Sequence, residues 1–202
     1  MKPILALETW KVLLLLIPLG VTLLIASATD IKSRKIYNKL TYPMFVVGLI
    51  LHTVTMGFAG LGDGFLAALL TFVIGLFVMP FAWIKPGDFK LFMVVAAFLG
   101  MRGLVEVAFY AIFAGGAIGL IQSLVTGRLL KVLKRIWLVI KRAFLRLFYS
   151  TSNFKIALEE EGNTYTPFAP AIAIGAILVY TDHVYGIPGW MVYYFTRLGY
   201  AP

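Results

Sequence analysis

The sequence contains no cysteine among its 202 residues. This absence excludes disulfides, thiolate nucleophiles, cysteine-based zinc sites and iron–sulfur clusters. Histidine is nearly as scarce: His52 and His183 are the only two, and no His-Glu-x-x-His motif occurs, so a zinc peptidase would lack its ligands. We expect both histidines to serve in helix packing or interface contact, and we expect neither a metal nor another cofactor. A Gly-x-Ser-x-Gly motif is missing too, which argues against a serine nucleophile.

Charged residues are also few. They make up 13% of the chain, against 61% hydrophobic residues and a mean hydropathy of +0.92. A soluble domain of this length is rarely so apolar, so the composition indicates that the bilayer is the solvent. No linker of different composition interrupts the chain, which predicts a single membrane-embedded domain over residues 1–202.

Six apolar segments approach the roughly 17 to 25 residues that a membrane span requires. They cover residues 12–29, 43–60, 64–84, 89–100, 103–125 and 168–185. The segment 89–100 is short and suggests a partial or tilted span. We therefore predict an all-α polytopic integral membrane protein with about six transmembrane helices.

Basic residues outnumber acidic ones, 18 to 9, and most of them lie in alternate loops between the apolar segments. This distribution suggests anionic lipid headgroups and topology control and argues against nucleic acid as a partner. The positive-inside rule places the basic loops in the cytoplasm and both termini outside the cytoplasmic membrane.

The long loop 127–166 carries Lys and Arg at three-, four- and seven-residue spacings between apolar residues. That pattern predicts a cytoplasmic amphipathic helix, whose basic residues within 128–146 would face anionic lipid headgroups. A dedicated role in substrate binding is the alternative.

Two aspartates stand at the predicted cytoplasmic boundary. Asp30 follows the first span and Asp88 follows the third, so the topology brings two carboxylates from distant positions to one membrane face. Either one alone could be a helix cap or an ordinary loop residue. Charged residues at a membrane boundary are nevertheless candidates for function.

Two neighbouring carboxylates share a proton and titrate as a pair. One can take a proton from an attacking water, while its protonated partner donates to a carbonyl oxygen and later to a leaving amine. This is peptide hydrolysis without a metal or a covalent intermediate.

Three stretches resemble the type IV prepilin peptidases and the archaeal preflagellin peptidases. Asp30 with Arg34–Thr41 is similar to the family's aspartate followed by basic residues and an Ile-Pro-Asn-x-Leu-Thr stretch, with Tyr37 in place of the proline. The residues Lys85–Leu91 resemble the Gly-x-Gly-Asp-x-Lys-Leu motif, with lysine replacing the first glycine. The residues Pro167–Gly175 are similar to the Pro-Phe-Gly-Pro start of the family's last helix.

This resemblance implies an aspartic-type endopeptidase with Asp30 and Asp88 as the catalytic pair. Gly87, Lys90 and Asn38 are implied as supporting motif residues, although Lys90 could either tune Asp88 or mark the cytoplasmic boundary. The implied substrates are pilin-like precursors, which carry a short basic leader before a hydrophobic helix and are cut on the cytoplasmic side. Longer family members also have a cysteine-containing cytoplasmic region and methylate the new terminus. This cysteine-free chain resembles the minimal, peptidase-only members that serve tight-adherence pili, and no methyltransferase activity is expected.

The sequence is compatible with two other functions. A small proton- or ion-coupled transporter could use the same aspartates to bind its coupling ion, although no inverted repeat is visible in the sequence. The second is an inactive scaffold of a secretion system, because Lys85 replaces a motif glycine that would give backbone freedom or allow close approach to the substrate.

Overall fold

The computed structural model describes residues 9–78, 85–127, 137 and 167–185, and every regular element within these ranges is a helix. The helices are α1 (Thr9–Ser33), α2 (Asn38–Met56), α3 (Phe58–Val78), α4 (Pro86–Val125) and α5 (Ala169–Tyr185). A helix satisfies its backbone hydrogen bonds internally, as a span in lipid must. The predicted all-α class is therefore confirmed for the described residues.

Four of these helices, α1 to α4, are long and apolar enough to cross a membrane. Helix α5, with 17 residues, is shorter. The chain is thus a membrane protein, while the count of six spans stays a prediction. The segment 128–166, which includes the predicted amphipathic helix, lies outside the described residues apart from Trp137.

Two tight connections fix the ends of the first three helices. Helix α1 stops at Arg34, whose φ of 55° lies in the left-handed region and whose N–H donates to the carbonyl of Asp30 at 2.9 Å. This single bond is the αL type of helix end. Helices α2 and α3 are joined by Gly57 alone, whose φ of 72° few other residues adopt. Helix α2 begins at Asn38, five residues before the start that its apolar run predicts.

Helix α4 is broken at Gly100, which has a φ of 69° and a ψ of −169°. The Met101 N–H, directly after the break, donates to Asp63 Oδ2 at 3.2 Å. The break separates two helical stretches that match the predicted segments 89–100 and 103–125, so the predicted boundary at Gly100 is confirmed.

The described residues form two compact units. The larger contains the described residues up to Gly115 and those from Pro167 onward; in it α1 packs against α2 and α5, and α2 against α3. Its core contains the first half of α4, where Leu91, Val94–Ala97 and Phe98 are fully buried. The smaller unit contains, among described residues, the end of α4, the turn after it and Trp137. The prediction of a single domain remains a prediction.

Candidate active site

A cleft of about 340 Å³ lies where the α1–α2 connection meets the start of α4. The cleft is lined by Asp30 in the last turn of α1, by the connection residues Arg34–Asn38, and by Lys85–Asp88 at the start of α4. The predicted topology puts the two aspartates on one membrane face, and the fold brings both of them to this single cleft. Their charges are close enough to interact.

Asp30 occupies the last turn of α1 and is only 1% exposed. Its Oδ2 accepts a buried hydrogen bond of 3.1 Å from the backbone N–H of Ala169, the first residue of α5. The first N–H groups of a helix have no partner within the helix, so the Asp30 oxygen satisfies one of them at the start of α5. The left-handed Arg34 ends α1 one helical turn after Asp30 and turns the chain into the cleft wall.

Asp88 is the third residue of α4 and is 4% exposed. Its Oδ2 accepts the Lys85 N–H at 3.1 Å, and its own N–H donates to the Lys85 carbonyl at 3.0 Å. The carboxylate therefore caps the helix that carries it, with Pro86 in the favoured first position. This reciprocal pair fixes the direction in which Asp88 enters the cleft.

Lys85 occupies the position of the missing motif glycine. Among the described residues, Arg34 is the non-glycine residue with a positive φ, so the backbone of Lys85 lies outside the region that favours glycine. The turn uses only the backbone N–H and carbonyl of Lys85, and every residue except proline has both groups. The substitution is thus compatible with the turn geometry.

At Gly87, in contrast, close packing leaves little room for a side chain. A Cβ at this position would lie 3.3 Å from Ile36 Cβ, which is tighter than an ordinary van der Waals contact. The missing side chain lets the first turn of α4 approach the α1–α2 connection and so brings the two sides of the cleft together.

Asn38 and Lys90 join the starts of α2 and α4. Lys90 Nζ donates to Asn38 Oδ1 at 2.8 Å and lies 5.5 Å from the centre of the Tyr42 ring. The contact is exposed, so it contributes little energy. Both of these partners lie on α2, which favours a link between helices over a direct effect of Lys90 on Asp88.

Tyr37 stands where the family motif has proline. It precedes α2 with a φ of −81° and a ψ of 132°. A proline ring holds φ near −65°, within about 15°, so tyrosine adopts nearly the conformation that proline would impose.

A second polar cluster lies at the break of α4. His52 is 2% exposed, and its Nε2 is 3.8 Å from Asp63 Oδ2, which also accepts the Met101 N–H. Burial of His52 agrees with the expected packing role, whereas the side chain of His183 lies outside the described part. In the described ranges no three His, Asp or Glu side chains are placed to hold a metal ion.

Sequence reasoning missed two groups in these clusters. The Ala169 N–H is a backbone donor, which residue type does not reveal, although the Pro167–Gly175 stretch marked its neighbourhood. Asp63 had a weak signal, since it is a lone carboxylate among the small and apolar residues at the start of α3.

Comparison with known proteins adds one finding. Residues 17–120, just over half of the chain, match the type IV leader peptidase family. The matched segment contains both aspartates and all the other residues that line the cleft. Searches of curated proteins and of solved structures gave no match. The chain therefore belongs to the type IV leader peptidase family.

Proposed function

We propose that the chain is a membrane aspartyl endopeptidase that removes the basic leader from pilin-like precursors, with Asp30 and Asp88 as its catalytic pair. The observation that carries the proposal is the meeting of these two buried carboxylates in one cleft at the ends of apolar helices. Membership of the family supports peptidase activity.

The reaction needs one ionised and one protonated carboxyl group. The ionised group removes a proton from water, whose oxygen attacks the scissile carbonyl carbon, and the protonated group donates its proton to the carbonyl oxygen. A tetrahedral gem-diol results. The group that took the water proton then gives it to the amide nitrogen, while the other carboxylate takes a proton back from a gem-diol hydroxyl. The C–N bond breaks, which releases the leader with its new carboxyl group and the new amino terminus.

The cleft suits a substrate that crosses the membrane boundary. In this proposal the hydrophobic helix of the precursor lies in the bilayer and the peptide bond before it enters the cleft. Basic residues of the α1–α2 connection would place this cleft on the cytoplasmic side of the cytoplasmic membrane. The basic segment 128–146 would bind anionic headgroups. No methyltransferase activity is proposed.

Cleavage can be tested with purified protein in nanodiscs and a synthetic precursor that has a basic leader and a hydrophobic helix. We expect two products, with the new amino terminus just before the hydrophobic helix, as read by mass spectrometry. An intact precursor after prolonged incubation, together with ion-driven uptake by the same protein in proteoliposomes, would contradict the proposal and favour the transporter.

Orientation has a separate test, because the cysteine-free chain accepts single cysteines without background labelling. Lys35 and Phe58 are both exposed; Lys35 lies shortly before the start of α2, and Phe58 lies two residues after its end. In intact cells, a membrane-impermeant maleimide should label Phe58→Cys but not Lys35→Cys. The reverse pattern would contradict a cytoplasmic cleft.

A further inference from the structure

The first turn of α5 reaches both helices that carry the aspartates. On one side, the Ala169 N–H donates to Asp30 Oδ2, a contact between residues far apart in sequence on α5 and α1. Asp30 is almost fully buried, and a buried carboxylate needs such donors to remain in place.

On the other side, Phe168 contacts α4. Its ring centre lies 6.3 Å from that of Phe92, with the two rings tilted by 53°. Phe92 follows Asp88 by four residues, so both side chains lie on the same face of α4. The Phe168 ring thus packs one helical turn from the second aspartate.

The position of this turn is itself fixed by close packing. A Cβ on Gly115 would lie 2.5 Å from Phe168 Cε2, so the glycine makes room for the ring. Further along α5, a Cβ on Gly175 would lie 2.8 Å from the Val107 carbonyl oxygen and 2.9 Å from the Ala111 N atom. Helix α5 therefore packs against the α4 backbone, and its first turn has little freedom to move.

We propose that the Phe168–Ala169 turn is a positioning element that holds Asp30 and Asp88 at their working separation. Ala169 fixes the carboxylate of Asp30 through its N–H, and Phe168 fixes the α4 turn next to Asp88 through its ring. Phe168 and Ala169 lie beyond the matched segment 17–120 and within the stretch that resembles the start of the family's last helix, and the positioning role rests on their two contacts and not on that resemblance. The inference rests on the proposed function for its catalytic meaning.

The Ala169 contact can be removed without removing the helix. Proline is favoured at the first position of a helix and lacks the N–H, whereas glycine keeps the N–H and loses only the methyl group. For Ala169→Pro, we expect kcat per folded protein to fall about 10- to 100-fold, the scale of one hydrogen bond to a charged group, with little change in KM. Ala169→Gly should retain most of kcat.

The split between kcat and KM separates positioning from general damage. Ala169→Pro should lower kcat with KM nearly unchanged, whereas Ala169→Gly should keep both near the wild-type values, because only proline deprives the Asp30 side chain of its donor. Equal kcat values for the two variants would overturn the role of Ala169.

The Phe168 contact has a test that needs no substrate. In the cysteine-free chain, Ile36→Cys with Gly87→Cys places two Cβ atoms 3.3 Å apart, a few tenths of an ångström below the roughly 3.5 to 4.5 Å of a disulfide. Under a mild oxidant, the rate of disulfide formation reports how closely the α1–α2 connection, which follows Asp30, approaches the residue that precedes Asp88.

Phe168→Ala should slow disulfide formation about threefold or more, since the Cβ atoms no longer stay within bonding geometry. Phe168→Leu, which keeps most of the volume, should restore the rate. Phe113→Ala is the matched control, because Phe113 also makes an aromatic contact on α4, with Phe109 at 4.8 Å between ring centres. An unchanged rate in Phe168→Ala would overturn the inference, even if the protein cleaves precursors. A slowed rate in a protein that cleaves nothing would support the positioning role and contradict only the proposed function.

Discussion

Substitution of Gly100 by alanine tests how the break in α4 is held. Gly100 has a φ of 69° and a ψ of −169°, a region that is almost restricted to glycine and costs other residues about 1 to 3 kcal/mol. A Cβ there would also overlap Asp63 Oδ2, so the carboxylate would have to leave the Met101 N–H. Loss of that charge-assisted hydrogen bond adds about 1.5 to 3 kcal/mol.

Together these effects predict that Gly100→Ala lowers the free energy of unfolding by about 2.5 to 6 kcal/mol. The midpoint of thermal unfolding in detergent should fall by about 10 °C, because a chain of this length loses roughly 2 to 4 °C for each kcal/mol. Gly62→Ala is the control, because Gly62 lies in α3 beside Asp63 with open space around its Cβ position. That change should be neutral or slightly stabilising. Equal midpoints for Gly100→Ala and the wild type would refute the account of the break.

Three further predictions concern the walls of the cleft. Arg34→Gly should be about 1 kcal/mol more stable to thermal unfolding than Arg34→Ala, because both lose the side chain but only glycine adopts a φ of 55° freely; the opposite order would contradict the αL helix end. Tyr37→Pro should leave stability unchanged or raise it by up to about 1 kcal/mol, since the native φ of −81° suits proline, and a lower unfolding midpoint would contradict this. Lys85→Gly should cleave precursor within about threefold of the wild-type rate, whereas Lys85→Pro should lose about 10-fold or more, because proline removes the N–H that Asp88 accepts. Equal rates for these two variants would mean that the Lys85 N–H does not hold Asp88.

Much of this arrangement could be predicted from the sequence because it depends on composition and side-chain type. Apolar runs interrupted by charge predict helices and their order, and alternation across the membrane is enough to put Asp30 and Asp88 on one face. Gly100 was also a predicted boundary, since glycine ends an apolar run there.

The remaining features depend on backbone geometry, which residue type does not encode. Ala169 contributes an N–H that every residue except proline has, so its contact with Asp30 requires the packing of α5 on α1 and α4. Arg34 adopts a left-handed conformation that would have been expected at a glycine. Lys85 replaces a motif glycine, yet the turn uses only its backbone groups. In each case tertiary structure decides the role of the residue.

The central claim is that two aspartates together hydrolyse a peptide bond, and single Asp→Asn substitutions test it most directly. Asparagine keeps the shape of aspartate but cannot exchange the catalytic proton. With a synthetic precursor and purified protein, Asp30→Asn and Asp88→Asn should each lower the cleavage rate about 100-fold or more. Asp63→Asn, which keeps an oxygen acceptor for the Met101 N–H outside the cleft, should retain activity. Wild-type cleavage by either Asp30→Asn or Asp88→Asn would contradict the account.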